Sequence, residues 1–122
     1  MTYGKTCWLI PDCYWPEVTT PGVYVSHEAI CLLNTGARDA HVRFTFYYED
    51  EPPRAGYAAV CKALRTFHVR LDQLTNELGA HLPRGKAYAA LVESDEPIVV
   101  QYSRLDTSRG NEALMTTLAY PV

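Results

Sequence analysis

The sequence predicts an all-β fold, a single antiparallel eight-stranded β-sandwich with a jelly-roll-like build over residues 1–122. Three observations lead there. Apolar and polar residues alternate at every second position along several short runs, the period of a half-buried strand. Turn-forming residues separate these runs at short intervals. Helical periodicity is scarce. A chain of 122 residues suits one compact domain, and 48% hydrophobic residues exclude wholesale disorder.

The strands are expected in the following order. Thr6 to Ile10 is the first and Glu28 to Asn34 the second, the latter ended by Asn34-Thr35-Gly36. His41 to Tyr48 is the clearest: Val42, Phe44, Phe46 and Tyr48 share one face, and Arg43, Thr45 and Tyr47 the other. Glu49-Asp50-Glu51-Pro52-Pro53 then breaks the chain. Tyr57 to Ala63 and Arg65 to Leu71 follow, and Asp72 to Leu78 reads as a turn or two of helix with Asp72 as its N-cap. Pro83-Arg84-Gly85 precedes a strand at Lys86 to Val92. Ser94-Asp95-Glu96-Pro97 reads as a turn that separates it from Pro97 to Leu105. Asp106 to Gly110 leads to the last strand, Ala113 to Tyr120, where Thr116-Thr117 and Pro121 outweigh the helix formers Glu112 to Met115. Asp12 to Gly22, with Pro16 and Pro21, reads as a long loop.

Several functions are disfavoured at once. Eleven basic residues against 14 acidic ones give a net charge of -3, a poor footprint for DNA unless Arg38, Arg43, Arg54, Lys62, Arg65 and Arg70 gather on one face. Apolar stretches last only a few residues, where a spanning helix needs roughly 20. The run Cys7 to Ile10 stops at Pro11-Asp12, too short for a secretory signal, so a cytoplasmic location is expected. Cys7, Cys13, Cys31 and Cys61 form no Cys-x-x-Cys pair, which argues against structural zinc. Cys7, Cys31 and Cys61 lie in apolar runs and read as buried thiols, and Cys13 reads as the most exposed. No nucleophile elbow, zinc-protease, phosphate-loop or dinucleotide signature is present, so no catalytic residue, metal site or cofactor is expected.

Polar residues on strands are the candidates for function. In Ser26-His27-Glu28, Glu28 shares a face with Ile30 and Leu32, and His27 points the other way. Thr66, His68 and Arg70 share a face suited to an anion, a sugar hydroxyl or a neighbouring carboxylate, or they form a plain solvated face. Gln101 follows Ile98-Val99-Val100 and is expected to be partly buried with partners. Arg104 and Asp106, two apart, read either as a structural ion pair or as ligand contacts. Trp8 reads as core or interface, or as a stacking platform. His41 and His81 read as surface residues.

Thr6-Cys7-Trp8, Ser26-His27-Glu28, Asp39-Ala40-His41-Val42, His68-Val69-Arg70, Pro97 to Gln101, Arg104-Leu105-Asp106 and Ala119-Tyr120 occur in an order and spacing that resemble the soluble sensory rhodopsin transducer family. The resemblance implies a β-sandwich of about eight strands, a non-enzymatic binding or signalling role and a cyclic homotetramer. It implies a small polar ligand such as a sugar, with docking on a membrane sensory rhodopsin as the alternative and DNA binding weaker still. It places candidate ligand contacts at Trp8, His27, Glu28, His68, Arg70, Gln101, Arg104 and Asp106. Tyr47, Phe67 and Tyr120 are expected at subunit contacts. The chain ends at Val122, right after the last expected strand and without the tail of the founding family member.

Overall fold

Alternating β-branched and aromatic residues build eight strands in the structure, a computed structural model that describes residues 2–17, 24–109 and 111–122. In chain order these are β1 (Lys5–Cys13), β2 (His27–Asn34), β3 (Ala40–Tyr48), β4 (Arg54–Cys61), β5 (Arg65–Arg70), β6 (Tyr88–Asp106), β7 (Ala113–Leu118) and β8 (Tyr120–Pro121). Every pairing is antiparallel. Residues 18–22 of the expected long loop, with Pro21 and Gly22, residue 23 after it, and Gly110 of the last expected turn lie outside the described residues.

The 19-residue β6 is the spine. Its first half pairs with β1 and β3, giving a sheet ordered β4-β3-β6-β1-β8. Its second half pairs with β2 and β7, and β5 lies beyond β2. The expected turn at Ser94-Asp95-Glu96-Pro97 is therefore not a turn. Here the strand leaves one sheet and enters the other, as corner strands of a sandwich do. Pro97 has no partner in any ladder and sits in the register shift of the β1–β6 pairing, between Glu93 and Ile98, where its missing N–H interrupts no pairing. Asp95 braces the corner by accepting from the backbone N–H of His41 at 2.7 Å.

The other end of the chain differs in the opposite sense. The expected strand Ala113 to Tyr120 splits: β7 edges the second sheet, and β8 crosses to pair with β1. The expected helix at Asp72 is a turn, because Arg70 takes the Asp72 carboxylate at 2.8 and 2.7 Å and leaves it no capping role. Asn76 then closes a local loop, its Oδ1 accepting from Leu78 and Ala80 N–H.

Between the sheets lie Ile10, Ile30, Leu32, Val42, Phe44, Phe46, Val92, Ile98 and Val100, all buried. Phe46 meets Tyr57 and Tyr88 edge-on. Two core members come from segments that read as loop. Trp15 is fully buried, donates to Pro83 C=O at 2.8 Å and carries the Arg84 guanidinium on its ring. Cys13, expected to be the most exposed cysteine, has no exposed surface, because a register shift in β1 between Ile10 and Cys13 turns Pro11-Asp12 outward and the thiol inward. Cys61 is buried as expected, whereas Cys7 and Cys31 are half-buried. Asn34 ends β2 as a buried bracket: Nδ2 donates to Arg38 and Cys61 carbonyls at 2.8 and 3.0 Å, and Oδ1 accepts from Gly36 N–H.

Candidate functional site

The strand faces decide where each candidate residue goes. Trp8 points into the core, and its indole N–H donates to the Lys5 and Ile98 carbonyls, both at 3.1 Å. His27 and Glu28 point apart, as alternation requires: the His27 ring pairs with Val25 C=O at 2.8 Å, and Glu28 is fully buried. His68 stands exposed on the outer face, and Arg70 is held by Asp72. Gln101, expected to be partly buried, is exposed, because Val100 and Tyr102 take the inward positions on β6; its amide donates to Thr116 on the neighbouring β7. Arg104 and Asp106 do not pair in this structure. Arg104 turns inward, and Asp106 accepts from the Ser108 N–H and hydroxyl at 2.8 and 2.6 Å. Of the eight candidates, the fold brings together Glu28 and Arg104.

Around that pair sits a cluster at one end of the sandwich. The Tyr88 hydroxyl donates to Glu28 Oε1 at 2.7 Å, and Tyr14 N–H donates to Oε2 at 3.0 Å. Arg104 Nε donates to the Tyr102 hydroxyl at 3.2 Å and lies 4.0 Å from Glu28 Oε2. Arg104 Nη2 lies 3.7 Å from Asp12 Oδ1. Burial pushes the Glu28 carboxyl up to about 7, against the opposing hydrogen bonds from Tyr88 and Tyr14 and the charge of Arg104, while Asp12 pushes it further up. Burial raises the Cys13 thiol, with Glu28 adding to it, and raises the Tyr88 hydroxyl well above its ordinary value. A thiol so raised is a poor nucleophile. The cluster can hold a proton between the sheets, and it opens to solvent only on the side of Asp12 and Tyr88 among the described residues.

Sequence reasoning missed Tyr88, Tyr102, Asp12 and Cys13. The number of tyrosines, nine, was the available signal. A tyrosine on an inward strand position needs a partner for its hydroxyl, and the charged residues on neighbouring inward positions supply one.

Two open concavities lie on the surface, one away from the cluster and one against it. One of about 300 Å³ is lined by Thr2, Tyr3, the Thr35–Arg38 turn, Glu96 and Pro97, with Arg38 donating to Glu96 at 2.6 Å across it. A second, about 310 Å³, includes Pro11, Asp12, Tyr47, Tyr48 and Tyr88. Neither is lined by the eight candidates. No group of three or more His, Cys, Asp or Glu with metal-holding geometry occurs among the described residues. Nor does any helix there have the length and apolarity to cross a membrane.

The outer face of the first sheet carries an ordered apolar row. Tyr120 on β8 opposes Leu9 on β1, Leu9 opposes Leu91 on β6, and Leu91 opposes Thr45 on β3. Tyr120 is 68% exposed and Leu9 39%. Tyr47 stands exposed one position further along that face.

Fold and site define a class: a small all-β sandwich with an ionisable cluster built around a buried Glu28 and apolar residues standing on an outer sheet face. The chain belongs to the family described as Anabaena sensory rhodopsin transducer, which it matches over residues 3–121. The solved structure of a Thermotoga maritima protein is similar to it at a TM-score of 0.87 and 37% identity, over 99% of this chain and 97% of that one. The Anabaena sensory rhodopsin transducer itself is similar at a TM-score of 0.74 and 38% identity, over 84% of this chain and 89% of its own. No curated protein gives a significant match.

Proposed function

We propose that the protein is a non-enzymatic signalling module that acts by docking, as an adaptor for a membrane sensory rhodopsin. The observation that carries this reading is the row Tyr120–Leu9–Leu91 on the outer face of the first sheet. Apolar side chains aligned across three adjacent strands make a rigid, flat surface, and covering them removes apolar area from water. The family to which the chain belongs, named for a sensory rhodopsin transducer, supports the same reading. The non-catalytic reading fits the chemistry of the cluster: Glu28 is fully buried, and the Cys13 thiol is raised by burial. Co-purification with the sensory rhodopsin of the same organism tests the proposal. Stable retention supports it, and no retention, or no rhodopsin gene in that genome, contradicts it.

A homotetramer is part of this reading. All six residues of β7 are exposed and uncharged, an edge that assembly can cover. Phe67, expected at a subunit contact, is exposed, and so are Tyr47 and Tyr120, which lie on the face assigned above to the rhodopsin and so leave β7 and Phe67 for the subunit contact. Light scattering should give four times the 13.7 kDa chain mass, and a monomer mass would oppose it.

A second reading, a small polar ligand such as a sugar, draws on the 300 Å³ concavity in which the Arg38–Glu96 pair faces Tyr3 and two threonines. Paired charges can bind vicinal hydroxyls, and an aromatic ring can stack on a sugar face. A thermal-shift screen of sugars and sugar phosphates tests it, since a ligand at 100 times its dissociation constant adds about 2.7 kcal/mol. DNA binding is the weakest reading, because Arg38, Arg54 and Arg70 are each taken by a carboxylate. A gel shift that weakens steeply with salt would favour it.

A further inference from the structure

We propose that Glu28, Arg104 and Asp12 form a proton-coupled switch at one end of the sandwich. With Glu28 protonated, the Arg104 guanidinium leans toward Asp12. With Glu28 ionised, it closes on Glu28, so the proton on Glu28 decides how the exit of β1 is held.

The geometry is that of a cation shared between two carboxylates and bonded to neither. Arg104 Nε is 4.0 Å from Glu28 Oε2 and Nη2 is 3.7 Å from Asp12 Oδ1, both beyond hydrogen-bond reach. Nη2 is buried and has no hydrogen-bond partner. A buried guanidinium N–H gains from bonding a carboxylate. Closing on Glu28 needs a movement of about 1 Å, within the reach of side-chain torsions. The two carboxylates differ in setting. Glu28 has no exposed surface, while the Asp12 side chain is 86% exposed. A neutral Glu28 therefore leaves the guanidinium to Asp12, and a charged one competes from a medium that screens it less.

Among the described residues, β1 and both halves of β6 contribute groups to this balance. The end of β1 and the residue after it bring Asp12, the Cys13 thiol and Tyr14 N–H. Strand β6 brings Tyr88 from the half in the first sheet, and Tyr102 and Arg104 from the half in the second. The segment after β5 brings Leu71 N–H, which is spent on the Glu28 carbonyl. The switch thus ties both sheets to the Asp12–Tyr14 segment. Asp12 also lines the concavity that holds Tyr47, so a change at Arg104 has a short path to the outer face of the first sheet.

The test is a ¹⁵N NMR titration of the full chain from pH 5.5 to 8.5, following Tyr14 N–H and Arg104 Nε–H. The proposal expects both signals to shift with one common midpoint near pH 7 and to lie flat in Glu28→Gln. Asp12→Asn, a change at an exposed position, keeps the test decisive should Glu28→Gln fail to fold. Removing the Asp12 charge lowers the shared midpoint and reduces the amplitude at Arg104, which has lost one of its two positions. A flat Tyr14 signal, a titrating Tyr14 with a motionless Arg104, or an unchanged titration in Glu28→Gln each overturns the proposal.

Discussion

Replacing Glu28 by Gln removes a buried ionisation and keeps the shape of the side chain. The amide oxygen can still accept from Tyr14 N–H, and the amide nitrogen can donate to the Tyr88 hydroxyl, which becomes the acceptor. Burial raises the Glu28 carboxyl from its ordinary 4.5 to about 7 in the folded protein. Between those values the folded chain binds more protons than the unfolded chain, so stability falls as pH rises. The difference of about 2.5 pH units, at roughly 1.4 kcal/mol each, amounts to about 3 kcal/mol. That contribution is fully present below pH 4.5 and is lost by the time pH has risen through about 7. The assay is urea unfolding at fixed protein concentration from pH 5 to 8.5, read by tryptophan fluorescence. The difference between wild type and Glu28→Gln isolates the one group from the histidines and surface carboxylates that titrate alongside it. The variant should gain on wild type by about 2–3 kcal/mol across that range. A variant-minus-wild-type stability that stays constant or falls as pH rises would refute the reasoning.

Three further outcomes follow from the backbone and its brackets. Gly4 has φ +95, and a Cβ there would sit 2.2 Å from the Ile98 carbonyl oxygen, so Gly4→Ala should lose at least about 2 kcal/mol by denaturant melt. Asn34→Ala strands the Cys61 and Arg38 carbonyls and Gly36 N–H, and the same melt should show a loss of about 3 kcal/mol. Leu64 adopts φ 57 on the exposed β4–β5 turn, so Leu64→Asn, which tolerates that conformation, should gain about 1 kcal/mol.

Strand periodicity made most of the fold legible, because a half-buried strand writes its face into every second residue. The alternation from Val42 to Phe46 and the opposition of His27 and Glu28 are both found in the structure. What periodicity does not carry is pairing. Ser94 to Pro97 has the chemistry of a turn, and nothing local tells a turn from a corner at which one strand changes sheets. The bulge that buries Cys13 is likewise a register effect between β1 and β6, invisible in either strand alone. Trp15 lay in a Pro-rich segment, where loop composition masked a large apolar side chain that the core takes in. The candidate site was legible only in part for the same reason. Inward and outward positions were readable, but not that Glu28, Tyr88, Tyr102 and Arg104, drawn from β2 and both halves of β6, would converge at one end.

The proposed docking function rests on the outer row of the first sheet, and one substitution addresses it directly. Leu9 is 39% exposed at the centre of that row, so Leu9→Glu places a charge there while its inward neighbours Trp8 and Ile10 keep the core intact. Calorimetric titration of the protein into nanodiscs holding the sensory rhodopsin of the same organism measures the consequence. The account predicts saturable binding by the wild type and at least about tenfold weaker binding by Leu9→Glu, with an unchanged circular dichroism spectrum. No binding by the wild type, or equal binding by both, would contradict it.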